Sequence, residues 1–373
     1  MRVLKWVLYS ISVTGFSLSS LTVFGYVPET KTVLKNWGLL NTKAKSHIQA
    51  VDAWKIEQGN RNIIVAVIDT GIDPEHKDLK QNIWKDPSSP GTPVYGWNFV
   101  NNKANPKDDH GHGTHVAGII GAWSDAKNGV SGVAHNVSIM AVKYYSDTNS
   151  GAVNLSNTVK AITYAVDHGA KIINYSGGGP EFSEEEFLAI KRAEAQGVLF
   201  VAAAGNERQN TDLTENAYYP SAYRLSNIIS VAATDINNNL LPSSNWGKRQ
   251  VDVAAPGENI YSTLPGGRYG TMTGTSQATA FVSGIAALLL SKNPGLTPPQ
   301  LRELIMNSVD PMPQLLGKLA TGGRVNAYSA LLALREANTR KPGRPTQRAS
   351  SELVARRPVS LLNTITEAPG FAD

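Results

Sequence analysis

Val65-Ala66-Val67-Ile68-Asp69-Thr70-Gly71 is an apolar run that ends on a carboxylate and then turns. A run that is apolar at successive positions, without alternation, fits a strand buried on both faces, as in a parallel sheet covered by helices. Asp69 then stands at a strand's carboxyl end, where open α/β sheets gather their functional groups. The plainer alternative is a turn-forming Asp. A buried carboxylate in either setting needs partners, because an unpaired buried charge is costly. Comparable β-rich runs occur at 62–69, 137–144, 171–176, 197–204 and 227–233. Helical patterns fill the gaps at 155–166 and 184–196, the latter opened by Ser183 with Glu186 three residues on as a capping box. A third, 301–308, follows Thr297 and two prolines. The alternation predicts one α/β domain of three layers, a mostly parallel central sheet with helices on both faces.

Two further stretches carry chemistry. In Asp109-His110-Gly111-His112-Gly113-Thr114-His115, three histidines invite a metal reading, but the helical HExxH pattern is missing. Glycine on both sides of His112 instead allows a tight backbone setting at a helix start. Gly274-Thr275-Ser276-Gln277-Ala278 opens an apolar helix running to about Leu290. A serine there is either an ordinary N-cap or a nucleophile beside unsatisfied N–H groups that favour developing negative charge.

Asp, then His, then Ser is the chain order of the subtilisin triad. Residues 37–335 resemble the catalytic domain of the subtilisin family. The resemblance rests on Asp69-Thr-Gly-Ile-Asp73, His112-Gly-Thr-His-Val-Ala-Gly118, Gly274-Thr-Ser276, Val201-Ala-Ala-Ala-Gly-Asn-Glu207 and Ala255-Pro-Gly257. It implies a subtilisin-like fold and a broad-specificity serine endopeptidase acting on proteins or peptides. Ser276 would be the nucleophile, His112 the general base and acid, and Asp69 the group that holds the imidazole. Asn206 would be the side-chain donor of the oxyanion hole. The chemistry needs no cofactor. Ser150-Gly151-Ala152 and Ser176-Gly177-Gly178 resemble the two segments that pair with an extended substrate. The family usually carries a large side chain where Gly177 stands, so weaker selectivity is expected at that subsite. Ala202, Ala203 and Gly205 would line the primary pocket, with Glu207 at its rim tolerating Lys or Arg. After Ser276 the family usually reads Met-Ala-Ser/Thr-Pro-His, whereas this chain has Gln277-Ala278-Thr279-Ala280-Phe281. Asp78 matches a calcium-ligand position, and Asp125 in the 123–129 loop is a second candidate for structural calcium.

Two other classes compete. A catalytically idle peptide-binding scaffold should have lost a catalytic residue, yet Asp69, His112, Ser276 and Asn206 are all present. A lipase or esterase would want Gly-x-Ser-x-Gly, which fails here at Ala278.

With no cysteine among 373 residues, disulfides, thiolate zinc sites and a cysteine nucleophile are excluded. The formal charge of +5 is concentrated at the ends, because residues 36–334 carry 24 basic and 25 acidic side chains. A near-neutral body offers no basic face for nucleic acid. Arg2 and Lys5 precede an uncharged run reaching Pro28. Residues 1–28 therefore read as an export signal, with 6–27 able to serve instead as a membrane anchor. Both place the enzyme outside the cytoplasm. The expected organisation continues with a linker at 29–36, too short for a full inhibitory propeptide, and a catalytic domain at 37–338. A basic, proline-broken tail follows at 339–373.

Overall fold

The computed structural model describes residues 35–40, 45–89, 91–124 and 129–339. The export or anchor segment, most of the linker, Asp125 and the tail beyond residue 339 lie outside the described residues. No helix among the described residues is long and apolar enough to cross a membrane. The chain divides into two compact units, 1–333 and 334–373. The described part of the second is the end of the last helix.

In chain order the elements are α1 (Ala50–Ala53), β1 (Ile64–Asp69), β2 (Gly96–Asn98), α2 (His112–Gly121), β3 (Ser138–Lys143), α3 (Gly151–Asp167), β4 (Ile172–Tyr175), α4 (Glu184–Ala195) and β5 (Leu199–Ala203). They continue with β6 (Ile228–Thr234), β7 (Val253–Pro256), β8 (Ile260–Leu264), β9 (Arg268–Met272), α5 (Thr275–Lys292), α6 (Pro298–Asn307), β10 (Asp310–Pro311), β11 (Gly323–Arg324) and α7 (Ala327–Thr339). Nine strands form one sheet in the order β10-β11-β7-β6-β5-β4-β1-β3-β2. Only the β10–β11 pair is antiparallel. Strands β8 and β9 make a separate hairpin. The three-layer, mostly parallel α/β architecture expected from the sequence is the one observed.

Side chains alternate across a strand, and here the alternation sorts core from site. Ala66 and Ile68 of β1 join a buried cluster with Ala161, Ile162 and Ala165 of α3 and with Ile190 and Ala193 of α4. Val65, Val67 and Asp69 therefore face the opposite layer, which holds α2 and α5. Helix α5 is buried from Thr275 to Leu290 on every side. Such a helix is a core element rather than an amphipathic cover. Parallel register then brings the strand ends together, since Asp69 is opposite Lys143, Ile68 opposite Tyr175, and Tyr175 opposite Ala202.

The element bounds differ from the sequence reading for local reasons. Helix α3 starts at Gly151 because the Ser150 hydroxyl accepts from Val153 N, at 3.4 Å. Helix α6 starts at Pro298, with Gln300 Oε1 accepting from Thr297 N at 2.9 Å. The box expected at Ser183 forms only in half. Ser183 Oγ accepts from Glu186 N at 3.2 Å, but Ser183 N donates to Tyr223 OH, at 3.2 Å, instead of to Glu186.

Gly113 sets the spacing between α2 and β1. A Cβ built there would lie 2.1 Å from the Gly71 carbonyl oxygen and 3.0 Å from Asp69 Cβ. The obstacle is backbone, so it cannot swing away. Gly113→Ala is expected to cost about 1–3 kcal/mol, the usual penalty of overpacking. Thermal unfolding should show this as a Tm lower by several degrees; an unchanged Tm would mean that the helix can move off the strand freely.

Candidate active site

The carboxyl end of β1 and the start of α2 meet through one buried acid that sequence reasoning passed over. Asp108 Oδ1 accepts from Thr70 Oγ1 (2.9 Å), His110 N (3.0 Å) and Gly111 N (2.8 Å). Its Oδ2 accepts from Thr114 N (3.0 Å) and Thr114 Oγ1 (2.6 Å). Burial alone would raise the pKa of this carboxyl, but the bonds from Gly111, Thr114 and His110 hold it below the usual carboxylate value. Thr70 Oγ1 accepts in turn from Gly113 N at 2.9 Å. Lys143, also buried, donates to the Thr70 carbonyl and to Asp109 Oδ1, each at 2.7 Å. The signal was in the sequence: an acid just ahead of a helix start is the residue type that binds orphan N–H groups.

Held by this frame, Asp69 Oδ1 lies 2.7 Å from His112 Nδ1 and also accepts from Thr70 N at 2.7 Å. Asp69 is almost fully buried, whereas about a quarter of the His112 side chain reaches solvent. Burial depresses the imidazole pKa, but the Asp69 charge and hydrogen bond, with a smaller contribution from Asp108, raise it above its ordinary value.

The three histidines of this stretch do not converge. His115 is buried and contacts the Ile260 and Gly270 carbonyls through Nε2, at 2.9 and 3.2 Å. Burial drives its pKa down to about 4. The His110 and His112 ring centroids are 6.4 Å apart.

Ser276 is the second residue of α5. Its Oγ donates to the Ser176 carbonyl at 3.2 Å, and Ser176 Oγ donates back to the Ser276 carbonyl at 3.3 Å. No hydrogen bond links Ser276 to His112 among the described residues. Asn174 of β4 accepts from Ser283 Oγ of α5 at 2.8 Å, which clamps the helix to the sheet below its first turn. Asn206 Oδ1 accepts from Thr275 N (3.0 Å) and Thr275 Oγ1 (3.2 Å). These donors fix the amide's orientation. Its NH2 is left as a donor on an exposed residue beside Ser276.

Gly178, in the second of the segments expected to pair with substrate, borders two clefts. One, of about 320 Å³, is lined by Gly178, Glu207, Glu215, Tyr218 and Asn245. Glu207 is exposed and its Oε2 accepts from Asn245 Nδ2 at 2.6 Å. Ala202 does not line this cleft; alternation turns it into the core cluster beneath α3 and α4. Ala203 is buried too, and Gly205 is crowded by Asn245 and Glu207. The second cleft lies between Gly151–Ala152 and Gly178–Gly179. Gly177 does not simply leave a gap, because a Cβ there would sit 2.2 Å from the Tyr144 hydroxyl.

Asp78 Oδ2 already accepts from Val130 N at 2.9 Å and from Tyr269 OH at 2.7 Å. No group of three or more His, Cys, Asp or Glu suited to a metal occurs among the described residues. The placed side chains alone do not fit a calcium cage.

Comparison with known proteins agrees with this architecture. A family model described as "Subtilase family" matches residues 60–341. The chain is 40% identical over 284 residues to thermitase from Thermoactinomyces vulgaris, spanning 76% of this chain and 93% of that protein. It is 40% identical over 248 residues to the major intracellular serine protease of Bacillus subtilis, spanning 65% and 73%. A solved structure of proteases from Pseudoalteromonas arctica superposes with a TM-score of 0.70 at 26% identity, covering 81% of this chain and 98% of that one. The protein is a serine endopeptidase. More narrowly, the chain belongs to the subtilase family.

The Asp69 contact with His112 gives a direct measurement. A folded-state pKa raised above the ordinary value means that protonated His112 stabilises the fold at pH below about 6.5, a contribution lost as pH rises through the folded pKa. NMR titration should place His112 above 6.5 in the wild type. In Asp69→Asn, burial is opposed only by the smaller contribution of Asp108, and the pKa should drop below 6.5. An unshifted value in the variant would remove Asp69 as the cause.

Proposed function

We propose that the chain hydrolyses peptide bonds of proteins through Asp69, His112 and Ser276, with Asn206 in the oxyanion hole. The observation that carries this reading is the 2.7 Å contact between a buried carboxylate and Nδ1 of a partly exposed imidazole, since it leaves Nε2 to act outward. Ser276 Oγ attacks the substrate carbonyl carbon while Nε2 of His112 takes its proton. The charge that develops on imidazolium is met by Asp69, and that on the carbonyl oxygen by Asn206 Nδ2 and the Ser276 N–H at the start of α5. Collapse of the tetrahedral species returns the proton from His112 to the leaving amine. Water then repeats the sequence on the acyl-enzyme. In the substrate-free arrangement the Ser276 hydroxyl rests on the Ser176 carbonyl, and a turn about its Cα–Cβ bond redirects it toward His112. Catalytic hydrogen bonds are commonly long or unmade before substrate arrives.

The substrate would lie extended between Ser150–Gly151 and Ser176–Gly178, gaining affinity from main-chain bonds that ignore sequence. The cleft bearing Glu207 and Glu215 would take the residue before the cleaved bond, large apolar or basic. Residues 37–338 would form the catalytic domain, and a leader at 1–28 would place it outside the cytoplasm. Two relatives are described as intracellular, so this placement rests on the leader alone. A structural calcium would need Asp78 Oδ1, Asp125 and backbone carbonyls of the 123–129 loop. Chelation with EDTA should then lower the Tm; an unmoved Tm would remove the ion.

Hydrolysis of casein and of a chromogenic suc-Ala-Ala-Pro-Phe peptide should vanish in Ser276→Ala, and a fluorophosphonate should label the wild type at Ser276. Asn206→Ala should lose about 100- to 1000-fold in kcat with little change in KM. Failure of the folded wild type to cleave any substrate would return the chain to a peptide-binding scaffold.

A further inference from the structure

The second cleft encloses about 510 Å³ between the two segments assigned to the substrate strand. That volume lies in the range of built ligand pockets. Its walls are aromatic, from Tyr145, Tyr175 and Tyr219, and among the described residues no Lys, Arg or His lines it. Two carboxyl groups do, Glu181, which is exposed, and Glu186, which is 2% exposed.

Glu186 has no structural task that would consume it. Its place in the first turn of α4 would ordinarily send its carboxyl back to the N-cap N–H. That N–H is taken by Tyr223 OH, and the Ser183 hydroxyl donates to Glu185. Among the described residues the one donor to the Glu186 carboxyl is Tyr223 OH, to Oε2 at 2.8 Å, and none bonds Oε1, which is not among the atoms sealed from solvent. A carboxyl so buried and so thinly bonded is pushed up to about 7 by desolvation.

We propose that this cleft is a subsite for a basic substrate side chain, with Glu186 receiving the ammonium of Lys or the guanidinium of Arg. The assignment rests on the endopeptidase reading above, because the substrate strand brings the side chain there. The stem would pass Leu155 and Pro180, and the cation would lie among tyrosine faces, which attract it through their quadrupoles. The weak selectivity expected from a bare Gly177 gives way to a charge preference, since the Tyr144 hydroxyl occupies the space beside that glycine and the Glu186 carboxyl lines the cleft.

The test is a peptide library in which each residue before the cleaved bond is varied in turn. At one position other than that adjoining the bond, Lys and Arg should exceed Leu by about tenfold or more in kcat/KM, mainly through KM, equivalent to about 1.4 kcal/mol. The preference should persist in Glu207→Gln and fall to near parity in Glu186→Gln. The ratio is read within each enzyme, so a general loss of activity cancels. Should Glu186→Gln not fold, Leu155→Trp, which fills the cleft from α3, should remove the same preference. Cleavage without any such preference, or a preference that Glu186→Gln leaves intact, overturns the subsite but not the endopeptidase. Failure to cleave any member overturns both.

Discussion

The buried carboxylate of Asp108 is the constraint on which the candidate site depends. It stands where a strand end, a loop and a helix start must be joined, and it receives five hydrogen bonds from those three pieces. A neutral side chain of that size could accept far less. Charge-assisted bonds of this kind are shorter and stronger than neutral ones, and here they also discharge donors that a helix start leaves orphaned. Thr70 and Lys143 extend the frame, so the Asp69–His112 contact is held in place by neighbours outside the proposed triad.

The serine half of the site is built separately. It hangs on α5, on the Ser176–Ser276 exchange and on the Asn174–Ser283 bond. What aligns the two halves is the parallel sheet. With β1, β3, β4 and β5 in register, four strand ends reach the same edge, and each contributes a group there or hands the chain to a loop that does. Asp69, Lys143, Ser176 and Asn206 follow those ends in turn.

Much of this was legible before any coordinates. The five apolar runs became strands within a residue or two, because β-branched and other apolar residues without alternation leave little choice but a doubly covered sheet. Asp69, His112, Ser276 and Asn206 stood out through their motifs, and all are found along one edge. What escaped was short or cooperative. Strands β10 and β11, at two residues each, have no period to detect. Asp108 looked like any loop acid, since five donors from separated positions cannot be read linearly. Ala202 was expected in the primary pocket from the family resemblance, but strand alternation turns its side chain into the core. At Ser183 the local capping rule lost to Tyr223, a tertiary partner from 40 residues away.

Helix α5 gives Ser276, the proposed nucleophile, an unusual dependence on remote parts of the molecule. Its 18 residues make a rod roughly 27 Å long. From Thr275 to Leu290 that rod is embedded, so it has no solvent-facing side on which change is harmless. Ser276 is the tip of a lever whose shaft is the hydrophobic core. For a lineage accumulating substitutions, the interior and the chemistry are therefore one inheritance. A methyl group gained or lost near Leu288 acts on the position of a hydroxyl about three turns away. Variation tolerated by the fold is correspondingly displaced to the residues that line the two clefts, where preference for one substrate over another is free to drift without moving the reacting atoms.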